Sequence, residues 1–336
     1  QFTFFAFDPQ TVQRYPGQES FKRGPGANPY TDPAARRAQK NFIQTIVARF
    51  KDVPFLSWDL INEPSFSNPL RLWRGNTPNE DPTELKAWND WLKRRYGTRE
   101  ALARAWRVPE TQLPELGNVP LPSRDELARQ RYGNPNLVRA VDYNLFAQEA
   151  FAAWVDDMVA AIRAAGGRQL ITVGQDEGGV RDRVLNQFWG GSRADFTVVH
   201  SWWQDDALLW DSFAAKRPDK PNLVGETGVQ PVWSMDTSWR WDEPRSLGLL
   251  ERKLALGLAV LNTGSLHWDW SLSDYFGSLR RDGSHRLALA VLDGLGRFAR
   301  QAAPYALEPQ LPEIAILLPQ SLQLSVFNDY ALEAQQ

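Results

Sequence analysis

Short apolar runs alternate with stretches of helical periodicity along most of the chain. Residues 2–7 (FTFFAF) read as a buried strand, and 34–50 as a helix. Asp32 is placed to cap that helix, and Pro33 takes its first position, where a missing N–H costs nothing. The apolar run 55–61 predicts the next strand. A long segment rich in Pro, Trp and Arg follows at about 65–133, with helical pieces at 84–96 and 99–106. Residues 136–165 form a long helical pattern closed by Gly166-Gly167, as a C-cap requires. Four strand–helix pairs then succeed one another: 169–173 with 181–188, 196–200 with 206–215, 222–225 with 244–261, and 265–268 with 286–302. A last apolar strand is expected at 313–318.

Near-continuously apolar strands separated by helices mean parallel strands covered on both faces. Six βα units precede Pro304. A doubly wound sheet accepts six, whereas a closed barrel needs eight. Polar residues decide between them. Four strand ends carry functional types: Asn62-Glu63, His200, Glu226, and Trp268 with Trp270. A barrel gathers such ends at one mouth, and no G-x-G-x-x-G follows a strand as a dinucleotide-binding sheet would require. The expected fold class is therefore α/β, a (β/α)8 TIM barrel lacking its first two βα units in this chain. The expected organisation is a catalytic barrel domain over 1–304, comprising strands 3 to 8 with the helical insertion at about 65–133. Residues 305–336 begin a following domain or form a C-terminal extension.

Composition narrows the function. A formal net charge of -2 argues against a nucleic-acid partner. No apolar run reaches the ~18 residues of a membrane span, and no signal peptide is visible, which leaves the compartment open. Cysteine is absent, which excludes disulfides and thiolate metal sites. With only three His and no H-E-x-x-H, neither a metal nor a cofactor is expected. The chain does hold 15 Trp, whose flat rings serve a core or stack on sugar faces.

Glycoside hydrolysis needs two carboxyl groups across the scissile bond. Glu63 ends an apolar strand in Trp58-Asp59-Leu60-Ile61-Asn62-Glu63-Pro64, and Glu226 ends another in Leu223-Val224-Gly225-Glu226-Thr227-Gly228. A strand-end Asn-Glu-Pro with a second strand-end Glu three units later resembles clan A glycoside hydrolases, most of all family 5, the cellulase and mannanase family. The resemblance implies retaining hydrolysis of β-glycosidic bonds in a carbohydrate substrate, with Glu63 as acid/base and Glu226 as nucleophile. It further implies that Asn62 bonds the sugar 2-hydroxyl and that His200 positions the nucleophile, unless His200 is a satisfied core histidine. Trp268, or less favourably Trp270, would form the floor of the −1 subsite, barrel filling being the other use of either ring. Asp8 and Asp176-Glu177 also fall at strand ends, where capping helices or holding loops is the simpler role.

Two departures from the family pattern stand out. His200-Ser201-Trp202 replaces the His-x-Tyr expected on strand 6, so the Trp202 indole N–H or the Ser201 hydroxyl would have to substitute. The Arg expected at the end of strand 2 would precede this chain. An open barrel of low activity follows if these 336 residues are the whole protein. The insertion, with Trp73, Trp88, Trp91 and Trp106, is expected to wall one side of the cleft, with at least two of these Trp packing its own helices together. Its stretch from Ala87 to Gly97, followed by 101–106, looks like a segment of β-galactosidases and other exo-acting members of the clan. The leading reading is a glycoside hydrolase, cellulase- or mannanase-like or an exo β-glycosidase. The alternatives are a transglycosylase using the same residues and a carbohydrate-binding pseudoenzyme. The oligomeric state stays open.

Overall fold

The computed structural model describes residues 2–3, 28–64, 66, 78–123, 126–127, 137–175, 184–201, 215–228, 243–259, 263–272, 278–304 and 324. They fall into two compact units. One comprises the described residues up to Gly174, with 184–195 and Leu324, and the other comprises Gln175 and the described residues from Phe196 to Pro304.

The first unit is built on a parallel sheet in the order β1-β2-β3, namely Phe2–Thr3, Ser57–Asn62 and Leu170–Gly174. Helix α1 (Pro33–Phe50) starts where its cap predicts, the Asp32 carboxylate accepting from the amides of Ala34 and Ala35. In the insertion, α2 (Pro82–Tyr96) and α3 (Arg99–Trp106) are capped by the Asp81 and Thr98 side chains. Helix α4 (Leu137–Ala164) packs along α1, with the Trp154 indole donating to Gln39 at 2.8 Å. Gly166 (φ +89°) and Gly167 end α4 by donating to the carbonyls of Arg163 and Ile162, both at 3.0 Å. This paired C-terminal closure needs a left-handed residue at its first position. Gly167 is needed for space, since a Cβ there would lie 2.7 Å from Ile162 Cγ2. A short helix, α5 (Asn186–Trp189), completes the unit.

The second unit holds another parallel sheet in the order β4-β5-β6, comprising Thr197–Ser201, Asn222–Thr227 and Ser265–His267. Helix α6 (Glu243–Ala259) and helix α7 (Ala288–Ala302) pack through Leu249, Leu250 and Leu254 against Val291, Leu292 and Leu295. The alternation of parallel strands with helices is as the pattern anticipates. Strand β2 begins at Ser57 rather than at residue 55, because Phe55 and Leu56 remain partly exposed after Pro54, which has no ladder donor. The expected strands at 4–7 and 313–318, and the expected helix at 206–214, lie outside the described residues.

In the insertion, helix packing rather than a cleft wall accounts for the three described tryptophans. Trp88, Trp91 and Trp106 are 0%, 3% and 5% exposed, so no sugar reaches their faces. The rings stack on one another, Trp88 on Trp91 with centroids 5.5 Å apart and Trp88 on Trp106 at 6.4 Å, and Phe146 and Tyr143 of α4 lie edge-on to Trp88. Trp73 lies outside the described residues. Carboxylates take the polar edges. Trp91 donates to Glu149 at 2.7 Å, while Trp106 and Tyr96 both donate to Asp142, at 2.7 and 2.6 Å. The Trp88 indole N–H finds no partner among the described residues. Replacing Trp106 by Phe removes a donor from a buried carboxylate, whereas Trp88→Phe loses only volume. Trp106→Phe should therefore destabilise by about 1–3 kcal/mol more than Trp88→Phe in urea unfolding.

Glu84 is also fully buried, accepting from the amides of Asn79 and Glu80 at 2.6 and 3.2 Å and from the Tyr143 hydroxyl at 2.6 Å. Burial pushes its carboxyl up from 4.5 to about 7. The folded chain therefore holds this proton more tightly than the unfolded chain. The contribution is complete below about pH 4.5 and is lost as pH rises through about 7. Stability measured from pH 4 to 8 should fall more across that window in the wild type than in Glu84→Gln, which has no proton to lose.

Candidate active site

Each candidate glutamate emerges from a strand that carries one residue more than its neighbour. In β2, Asp59 pairs with Thr172 but Asn62 pairs with Gly174, so three steps on β2 match two on β3. Such a bulge re-aims the side chains that follow it and leaves backbone groups unpaired in the ladder. Asp59, itself buried, fills that gap. Its Oδ1 accepts from the Gly174 amide at 2.6 Å and from the Ile61 amide at 3.3 Å. The Gly174 carbonyl in turn accepts from the Glu63 amide at 2.6 Å.

Glu63 follows directly at φ +45°, the left-handed region that costs a residue with a side chain about 1–3 kcal/mol and persists only where its surroundings impose it. It is 6% exposed, and Asn62 beside it is partly buried. A buried carboxyl on strained backbone at a strand end is the placement expected of a working group rather than of a solvated loop residue.

In the second unit the extra residue is Gly225. Val199 pairs with Val224 but His200 pairs with Glu226, and the step from Val224 to Thr227 on β5 again exceeds that from Ser265 to His267 on β6. A Cβ at position 225 would lie 2.5 Å from Val198 Cγ1 and 3.2 Å from His200 Nε2, so glycine leaves room first for Val198 and then for the imidazole. His200 is 1% exposed, donates its amide to the Gln175 carbonyl at 2.9 Å and holds Nδ1 3.7 Å from Glu226 Oε2. That distance is too long for a hydrogen bond.

Just past β6, Trp268 donates its amide to the Thr227 carbonyl at 3.0 Å and is partly buried beside the strand that carries Glu226. Trp270 is 68% exposed, its ring edge-on to His285. Of the two rings, Trp268 is the one held at the strand end. Trp202 lies outside the described residues, as do Asp8, Asp176 and Glu177.

Three residues at these strand ends escaped sequence reasoning. Asp59 reads as one more polar position in an apolar strand, and its use depends on a register that sequence does not show. Lys253, fully buried on α6, sends its ammonium to the Gly228 carbonyl at 3.4 Å, two residues past Glu226. His267 precedes Trp268. Burial holds its imidazole below the ordinary value, partly opposed by the charge of Asp269.

Comparison with known proteins bears on the family. The family model described as β-galactosidase of glycoside hydrolase family 42 matches residues 18–241, a span that includes both glutamates and the insertion. A curated relative, β-galactosidase YesZ of Bacillus subtilis (strain 168), is 26% identical over 200 residues, covering 56% of this chain and 27% of its own. Among solved structures, the cold-adapted β-galactosidase of Rahnella sp. R3 aligns with a TM-score of 0.67 at 16% identity, over 97% of this chain and 48% of its own. The β-galactosidase of the psychrophilic Marinomonas ef1 aligns at 0.63 and 15% identity, over 83% and 44%. These structural likenesses concern the fold, and the chain spans less than half the length of each of these relatives. The strand-end glutamates mark the clan without separating its families, which is why they suggested family 5. The matched region corrects that expectation: the chain belongs to glycoside hydrolase family 42, the β-galactosidase family.

Proposed function

We propose that the protein is a retaining exo β-galactosidase in which Glu63 is the acid/base and Glu226 the nucleophile. One observation carries the reading. In a family 42 chain, the two strand-end glutamates expected from the clan order each follow a strand irregularity that sets their direction. The cellulase- or mannanase-like alternative gives way, because the family matched is that of β-galactosidases. An exo-acting enzyme also agrees with the resemblance of the insertion to that group.

The domain we envisage is the (β/α)8 barrel, in which β1 to β6 are strands 3 to 8. Residues 305–336 would belong to a following segment. Glu63 protonates the glycosidic oxygen as Glu226 attacks the anomeric carbon, forming a covalent galactosyl-enzyme. Water activated by Glu63 then releases galactose with retained configuration. A retaining displacement places the carboxyl groups about 5–5.5 Å apart. Asn62 bonds the sugar 2-hydroxyl, and His200 fixes the Glu226 carboxylate. Trp268 offers a ring face beneath the sugar, with Trp270 and Trp202 as further contacts.

The test uses an aryl β-galactoside and a 2-deoxy-2-fluoro galactoside. Glu226→Ala should lower turnover by more than about a thousandfold, and the fluoro-sugar should label Glu226 as found by peptide mapping. Label on another residue, or equal hydrolysis by wild type and Glu226→Ala, would overturn the assignment. Release of galactose from the non-reducing end of oligosaccharides, with no internal cleavage of polymeric galactan, is the product pattern expected.

A further inference from the structure

We infer that Asp59 is the positioning residue for Glu63, acting through the Gly174 peptide; this rests on the acid/base reading of Glu63 given above. The argument begins with the bulge. An extra residue between Asp59 and Asn62 leaves backbone N–H groups without ladder partners in a strand whose first five residues are buried. A buried amide in that state must find another acceptor. The side chain of Asp59 supplies one, bonding Ile61 on its own strand and Gly174 on the next.

The Gly174 bond is the consequential one, because the same residue's carbonyl holds the Glu63 amide at 2.6 Å. Carboxylate, amide, carbonyl and amide thus form a chain from Asp59 to the backbone of Glu63. Glu63 sits at φ +45°, a conformation its own side chain does not favour, so an outside constraint is needed there. Gly174 is the element that makes the chain possible. A Cβ at that position would lie 2.5 Å from Asp59 Oδ2, so a side chain there forces the carboxylate to shift. Asp59 touches no reacting atom in this scheme. Its effect is on where the Glu63 carboxyl points, and hence on proton delivery to the leaving group.

That difference gives a readout that mere structural damage does not move. A dinitrophenyl galactoside leaves without protonation, whereas methyl β-galactoside needs the acid. In the full chain, Asp59→Ala should lower kcat/KM, which reports the galactosylation step alone, at least about tenfold more on the methyl galactoside than on the dinitrophenyl galactoside. Gly174→Ala should reproduce this preference. Asp59→Asn, which keeps the volume and one acceptor oxygen, should restore most of the loss and keeps the test open if Asp59→Ala folds poorly. Amide hydrogen exchange should be faster at Gly174 and Glu63 in Asp59→Ala, a measure independent of turnover. Equal losses on both substrates, or unchanged exchange at Glu63, would overturn the proposal. A Glu63→Ala control that shows no such substrate preference overturns the acid/base reading and this proposal with it. A normal control beside undiscriminating Asp59 variants overturns the positioning role alone.

Discussion

A parallel strand covered on both faces has no water to satisfy its backbone, so each N–H must find a protein acceptor. Strands β2 and β5 each break their ladder with an extra residue just before a glutamate. The two breaks are accommodated by different means. In β5 the inserted residue is Gly225, whose missing side chain leaves room for Val198 and the His200 ring. In β2 the bulge residues carry full side chains, and the carboxylate of Asp59 serves as the acceptor instead. Either way, the register shift changes which face the following residues address, since side chains alternate with a period of two. Without the shifts, the direction of each glutamate would reverse relative to the sheet beneath it.

Helix α4 organises the rest of the first unit. Its N-terminal half presents Asp142, Tyr143, Phe146 and Glu149 to the aromatic stack of the insertion. Its middle presents Trp154 and Asp157 to α1, the latter paired with Arg36 at 2.7 Å. Its C-terminal turn sends Arg163 to Asp195 at 2.8 Å, and the Asp195 carboxylate accepts from the Ile171 amide at the start of β3. One helix therefore sets insertion, flanking helix and sheet together. The insertion is accordingly a second part of the core, and Trp88, Trp91 and Trp106 are committed to packing.

Local signals were legible and pairwise ones were not. Asp32, Pro33 and the glycine pair after α4 announce helix ends because capping is settled within a few residues. The strand-end glutamates were visible because a carboxyl after an apolar run and before Pro or Gly is itself a local pattern. Register is a relation between two strands, so neither the bulges nor the Asp59–Gly174 contact can be read from either strand alone. Lys253 was hidden for the same reason: its helix pattern marks it as a polar position, and its contact with the Gly228 carbonyl is a relation between two elements. Tryptophan was ambiguous because one flat apolar ring suits a sugar face and a stacked core equally well. The family was missed because the glutamate pattern belongs to the clan, while the insertion held the more specific resemblance.

The two strand ends share a further property. Backbone or side-chain groups from a neighbouring element hold each on the far side of its irregularity. The Gly174 carbonyl holds the amide of Glu63, and Lys253 of α6 holds the carbonyl of Gly228 beyond Glu226. A group that must act in a fixed direction gains from such fixing before any ligand arrives, because no reorganisation is then needed during reaction. The arrangement has a thermodynamic cost, visible in the left-handed Glu63 and in the burial of the polar Asp59 and Lys253 side chains. In the first unit, the surplus that offsets it comes from the apolar interior, above all the ring stack that joins the insertion to α4. A segment that would otherwise pass for a mere decoration on the sheet thus bears on the site indirectly. It supplies the stability against which the strain at Glu63 can be held.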